Sequence, residues 1–190
     1  MESGINISEA TINTVCFSHG KESGPWGTKI TTLARVAEEL GFSVISLDYH
    51  GENNPEVRVN QLCSEFVPGN GLTVLVGSSM GGYVATAASD HFKPDGLFLM
   101  APAFGLKGYK QPEQRPAAWK ISVVHGWDDD IVPYRNALDF AATYHAALHL
   151  LDDGHTLTNS IPEICDLFRN FLVSLLHGAS AGRPDQASHP

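Results

Sequence analysis

The chain has 190 residues, 43% of them hydrophobic and 17% charged, which fits one soluble globular domain with a sizeable core. Its 12 basic and 21 acidic residues leave a net charge of −9, which excludes a nucleic-acid surface or an anionic membrane as the main partner. Three widely spaced cysteines (Cys16, Cys63 and Cys165) speak for a reducing compartment rather than a disulfide framework.

The opening MESGINISEATINT has no basic segment followed by an apolar one, and no apolar stretch approaches a membrane span, so a cytoplasmic location is expected. INTVCFS (12–18) reads as a strand and ends in His-Gly, followed by the Gly/Pro/Ser-rich loop KESGPWG. In 28–40, Ile30, Leu33, Val36, Ala37 and Leu40 recur at helical spacing, and Gly41 supplies a stop. FSVISLD (42–48) is a second strand, and 55–66 is a shorter amphipathic helix with Pro55 at its first position. LTVLVGS (72–78) is almost continuously apolar, as a strand covered on both faces would be. Helix 80–92, strand 96–102, an irregular stretch to about 118 and strand 120–126 follow. Helix 133–145, strand 147–152 and an amphipathic helix over 161–176 complete the pattern. Residues 1–176 are expected to form a single domain, with 177–190 a polar, flexible tail. Strands alternating with helices imply a parallel sheet between two helical layers, an αβα sandwich whose chemistry gathers beyond the C-terminal strand ends.

Candidate residues stand where that rule puts them. After strand 72–78, GSSMG matches Gly-x-Ser-x-Gly, and the glycine spacing selects Ser79 over Ser78. A serine on so sharp a turn needs small residues two before and two after it, and the following helix directs N–H dipoles at developing negative charge. Strand 120–126 ends in HGWDDDIVP, whose Asp128, Asp129 and Asp130 read either as an acid or as caps for helix 133–145. Strand 147–152 ends in LDDGHTLTN, placing His155 on a loop that Gly154 is expected to free for turning the imidazole towards the sheet. His19 and His125, each in a His-Gly pair, are expected to hydrogen-bond neighbouring loops. No Cys/His cluster has metal-ligand spacing, so neither a metal nor a cofactor is expected. FSHGKES does not read as a phosphate loop, since Glu22 follows Lys21 and Val15 stands where the first glycine belongs.

These motifs resemble the α/β-hydrolase superfamily over roughly 12–176, in particular its compact, lid-less bacterial esterases of the YqiA kind. The HGWDDDIVP segment resembles the superfamily's His-Gly-x-x-Asp-x-x-Val-Pro, which makes Asp129 the acid. The chain order Ser79, Asp129, His155 is the superfamily's triad order. FSHGKESG resembles its oxyanion loop, which implies that the Lys21 and Met80 backbone N–H groups form the oxyanion hole. The resemblance further implies six parallel strands in the order 2-1-3-4-5-6, and no cap domain, since 103–119 is too short for one. It implies a serine hydrolase acting through an acyl-enzyme on a small-molecule ester with a short acyl chain. A thioesterase or acyltransferase using the same triad, or a non-catalytic binding module, are the alternatives. Trp26, Phe104, Trp119 and Trp127 are candidates to line the pocket, with buried packing the other reading for each. Lys107, Lys110 and Arg115 read either as surface charges or as a hint of an anionic substrate. A monomer or weak homodimer is expected.

Overall fold

A computed structural model describes residues 10–109 and 115–180. The first strand, β1 (Asn13–Ser18), is followed by α1 (Thr28–Glu39), β2 (Phe42–Ser46), α2 (Pro55–Glu65) and β3 (Thr73–Ser78). Then come α3 (Met80–Phe92), β4 (Gly96–Met100), β5 (Lys120–Gly126), α4 (Tyr134–Tyr144), β6 (Ala147–Leu151) and α5 (Ile161–Ser180). The strands form one sheet in the order β2-β1-β3-β4-β5-β6, and every neighbouring pair is parallel. Both order and direction are those expected.

The middles of β1, β3 and β4 are apolar on both sides because successive side chains enter different cores. Val15, Phe17, Val74, Val76, Phe98 and Met100 join α1 and α5 on one face. Cys16, Leu75, Leu97 and Leu99 join α2, α3 and α4 on the other. The helical spacing of α1 is used as expected, with Ile30, Leu33, Val36 and Ala37 all buried. Asn54 caps α2 by accepting the Glu56 N–H at 3.0 Å, and Pro55 follows at the first helical position.

The last helix departs from expectation, since α5 continues through His177–Ser180 instead of ending at residue 176. Trp119 lies against its added turn, where a Cβ on Gly178 would come within 2.2 Å of the indole. Packing against that ring stabilises a turn whose own sequence is a poor helix former. The remainder of the expected tail, 181–190, lies outside the described residues, as do 1–9. Among the described residues no helix is long and apolar enough to cross a membrane.

Candidate active site

Between Ser78, the end of β3, and Met80, the start of α3, Ser79 alone turns the chain. Its backbone takes φ 53° and ψ −119°, a conformation that costs an L-residue about 1–3 kcal/mol. Two main-chain bonds to the neighbouring strand and its loop hold it there. Ser79 N–H donates to Met100 O at 2.9 Å, and Ala103 N–H donates to Ser79 O at 3.0 Å. The flanking glycines are needed for space: a Cβ on Gly77 would lie 2.2 Å from Gly81 O, and one on Gly81 would lie 1.9 Å from Ser18 O.

His155 reaches this serine from the loop after β6. Its Nε2 lies 2.9 Å from Ser79 Oγ, and its Nδ1 lies 2.8 Å from Asp129 Oδ2. An ionised carboxylate only accepts, so Nδ1 carries the proton and Nε2 turns its lone pair to the hydroxyl. The other oxygen of Asp129, Oδ1, accepts the N–H groups of Ile131 at 3.0 Å and Val132 at 2.8 Å. Asp128 and Asp130 are exposed, and neither caps α4, which has Pro133 at its N-cap and no side-chain cap bond. The three aspartates therefore divide differently from expectation, with Asp129 itself tying the turn.

His125 touches a neighbouring loop as expected, donating from Nε2 to Val132 O at 2.9 Å. The same nitrogen lies 3.0 Å from Asp129 Oδ2, a contact not foreseen in the sequence. Burial pushes the Asp129 carboxyl up, but the hydrogen bonds from His125, His155 and Val132 outweigh it. They hold the group well below the usual carboxylate range, so it is ionised at neutral pH.

The turn that presents His155 does not depend on Gly154, which has no positive φ and whose Cβ would meet only Asp128 O, at 3.7 Å. Buried Asp153 shapes the loop instead. Its Oδ1 accepts Gly154 N–H at 2.8 Å and its Oδ2 accepts Ser160 N–H, at the entry to α5, at 2.9 Å. Burial raises the Asp153 pKa, but the bonds from Gly154, Ser160 and Asn159 lower it further, to a value below its ordinary one. An Asp153→Asn variant must aim an amide N–H₂ at one of these donors, which is expected to cost about 1–3 kcal/mol at neutral pH. Because the folded pKa is depressed, the stabilisation is complete above the unfolded value of about 3.9 and fades as pH falls through the folded one. Urea unfolding of both proteins at neutral and strongly acidic pH should show the gap closing in acid.

A cavity of about 540 Å³ opens over Ser79 and His155. Ile30, Leu106, Tyr109 and Ile131 give it apolar walls, and the Gly20–Gly24 segment, including Lys21, contributes to its lining. Met80 opens α3, so its N–H belongs to the first turn, which has no intrahelical acceptor. The aromatic side chains offered for the pocket are elsewhere. Phe104 is buried and stacks on Phe140 with ring centroids 4.4 Å apart. Trp127 packs edge-on against Tyr134, Trp119 lies under α5, and Trp26 is exposed outside the lining. Phe104 and Trp127 both stand close after strand ends, but their rings turn onto Phe140 and Tyr134 rather than into the cavity. Lys107 and Arg115 are exposed and do not line the cavity, and Lys110 lies outside the described residues.

Lys29 does line it, a residue the sequence did not single out. Its Nζ donates to Thr156 O at 2.8 Å, tying α1 to the loop of His155, and burial brings its pKa down to about 8. The described cysteines are all free, and burial pushes the Cys16 thiol up to about 12, far from a reactive thiolate.

This fold and this arrangement of side chains define the chain's class: it belongs to the α/β-hydrolase superfamily. The particular likeness is to a Xanthomonas campestris pv. campestris protein described as a hydrolase of that superfamily. The two are 32% identical, with a TM-score of 0.77 over 85% of this chain and 99% of the other. Est1E from Butyrivibrio proteoclasticus shares the fold with a TM-score of 0.71 at 16% identity, over 88% of this chain and 89% of its own. A second X. campestris protein, described as a serine hydrolase without a lid, gives a TM-score of 0.59 at 20% identity, over 95% of this chain and 86% of the other. No family model and no curated protein matches the sequence.

Proposed function

We propose that the protein is a serine hydrolase of small or short-chain carboxylic esters, working as a single domain through an acyl-enzyme on Ser79. The observation that carries this reading is the unbroken chain from Ser79 Oγ to His155 Nε2 and from His155 Nδ1 to Asp129 Oδ2, at 2.9 and 2.8 Å, beneath a cavity. Ser79 attacks the acyl carbonyl as His155 Nε2 takes its proton. Asp129 keeps Nδ1 protonated and stabilises the imidazolium that forms. The carbonyl oxygen, now anionic, is received by the N–H groups of Lys21 and Met80. His155 then returns the proton to the departing alcohol, and water, activated the same way, frees Ser79. The cavity volume of about 540 Å³ suits a small ester. Neither the segment 101–109 nor 115–119 forms a helix that could serve as a lid.

A fluorophosphonate probe tests the reading directly, because it forms a covalent adduct only with an activated serine. Mass spectrometry is expected to place one adduct on Ser79 of the wild type and none on a Ser79→Ala variant. A folded wild type that takes no label would overturn the proposal. Hydrolysis of acetyl and butyryl esters is expected to exceed that of palmitoyl esters and of the matching thioesters.

A further inference from the structure

Arg58 is 1% exposed, which places a full positive charge inside the protein. Among the described residues its hydrogen-bond partners are main-chain carbonyls: Nε donates to Glu52 O at 2.8 Å, and one terminal nitrogen donates to His19 O at 3.1 Å and Gly20 O at 3.3 Å. The second terminal nitrogen lies 3.4 Å from Tyr49 O, and the guanidinium sits 5.1 Å from the centroid of the Tyr49 ring. A buried cation is expensive to desolvate, and with no carboxylate partner among the described residues Arg58 is compensated by these backbone dipoles and the face of the Tyr49 ring. Two of those carbonyls, His19 and Gly20, belong to the loop that carries Lys21 past Ser79.

The Gly20 carbonyl is held from a second side. Tyr49 N–H donates to His19 Nε2 at 3.0 Å, so the neutral imidazole carries its proton on Nδ1, which lies 2.7 Å from Gly20 O. A trans amide directs its C=O and N–H to opposite sides. Fixing Gly20 O towards Arg58 and His19 therefore fixes Lys21 N–H on the far side of the same peptide. That peptide adjoins the serine, since a Cβ on Gly20 would lie 3.5 Å from Ser79 Cβ, and Gly20, Lys21 and Ser79 line one cavity.

We infer that Arg58 is a positioning residue for ester hydrolysis: it pins the Gly20–Lys21 peptide so that Lys21 N–H faces the oxyanion, and it sets a fixed positive charge behind that peptide. The inference rests on the serine-hydrolase reading. Only a planar fork with several donors can gather these carbonyls at once, so lysine is an incomplete substitute. The charge acts from a low-dielectric interior, where it favours the anionic intermediate over the neutral ester.

The test compares wild type with Arg58→Met and Arg58→Lys on p-nitrophenyl acetate, with rates expressed per site titrated by fluorophosphonate. Arg58→Met is expected to lose about 100-fold in kcat, the effect of losing one oxyanion donor, with KM within about threefold of wild type. Arg58→Lys should recover about tenfold of that loss by restoring the charge without the fork. A purely structural role predicts instead fewer titratable sites with unchanged kcat per site, and that result overturns the inference. So does a folded Arg58→Met whose kcat per site stays within about twofold of wild type. Should neither variant fold, the wild type decides. On phosphonylation of Ser79, the amide proton of Lys21 is expected to shift downfield in a ¹⁵N-correlated spectrum, and an unmoved Lys21 resonance overturns the inference. A wild type without any adduct removes the hydrolase reading and this inference with it. A labelled, active wild type beside an unimpaired Arg58→Met removes this inference alone.

Discussion

Replacing Asp129 by asparagine is expected to lower kcat on a small ester about 10⁴-fold while leaving the protein folded. The reason lies in the four donors that surround the carboxylate. Oδ1 takes two main-chain N–H groups, from Ile131 and Val132, while Oδ2 faces His155 Nδ1 and His125 Nε2. An asparagine can give its oxygen to only one of these pairs. Placing N–H₂ against two rigid main-chain donors is the worse choice, so the amide oxygen stays with the backbone and the N–H₂ turns to His155. That group requires a lone pair on Nδ1 and moves the imidazole proton to Nε2, where it can no longer accept from Ser79. Because one atom chain is broken at different points, a His155→Ala variant should lose about 10⁶-fold, and adding Asp129→Asn should take away little more. Rates of the two single variants and the double variant, with circular dichroism to verify folding, check this. An Asp129→Asn enzyme within about tenfold of wild type would remove Asp129 from its proposed role.

What could be read from the sequence follows from how directly each feature is written in a local pattern. The unbroken apolar run of β3 foretells a strand buried on two faces, and Val74 and Val76 do enter one core while Leu75 enters the other. Ser79 was legible because a backbone turned at φ 53° between a strand and a helix needs small flanking residues, which spell a motif. Arg58 left no such trace. In PEVRVNQLCSEF it looks like one more polar residue on an amphipathic helix, and its burial depends on carbonyls contributed by residues 19, 20, 49 and 52. Asp153 was hidden for a similar reason, since LDDGH offers two adjacent aspartates and only the fold decides that the second turns inward. The cavity walls were missed because aromatic bulk says nothing about position. On the loop after β4, Phe104 turns inward onto Phe140 while Leu106 and Tyr109 line the cavity, a division that no local pattern encodes.

The largest loss of stability is expected from Gly81→Ala, by about 4 kcal/mol or more. On the usual scaling for a domain of this size, that lowers Tm by about 10 °C or more. Alanine favours a helix over glycine, so propensity alone points to a gain of roughly 1 kcal/mol. Distance decides against it. The new Cβ would lie 1.9 Å from Ser18 O, 2.4 Å from Ser18 C and 2.8 Å from His19 O, all of them backbone atoms with no rotamer to yield. Relief requires the start of α3 to withdraw from the end of β1, which separates Met80 N–H from the His19–Lys21 loop and draws Ser79 away from His155. Molecules that remain folded should therefore also hydrolyse esters more slowly, measurable well below the transition. Gly154→Ala is the matched comparison: its Cβ would meet one atom at 3.7 Å, and its backbone has no positive φ. That variant should keep its Tm within a few degrees, on the scale of about 0.5 kcal/mol for an uncrowded position. Since neither glycine has a positive φ, a Gly81→Ala variant as stable as Gly154→Ala would mean that the approach of α3 to β1 does not require a glycine at position 81. A large fall at Gly81 alone ties the motif to contact between helix and strand, the same contact that sets the two proposed oxyanion donors at their spacing.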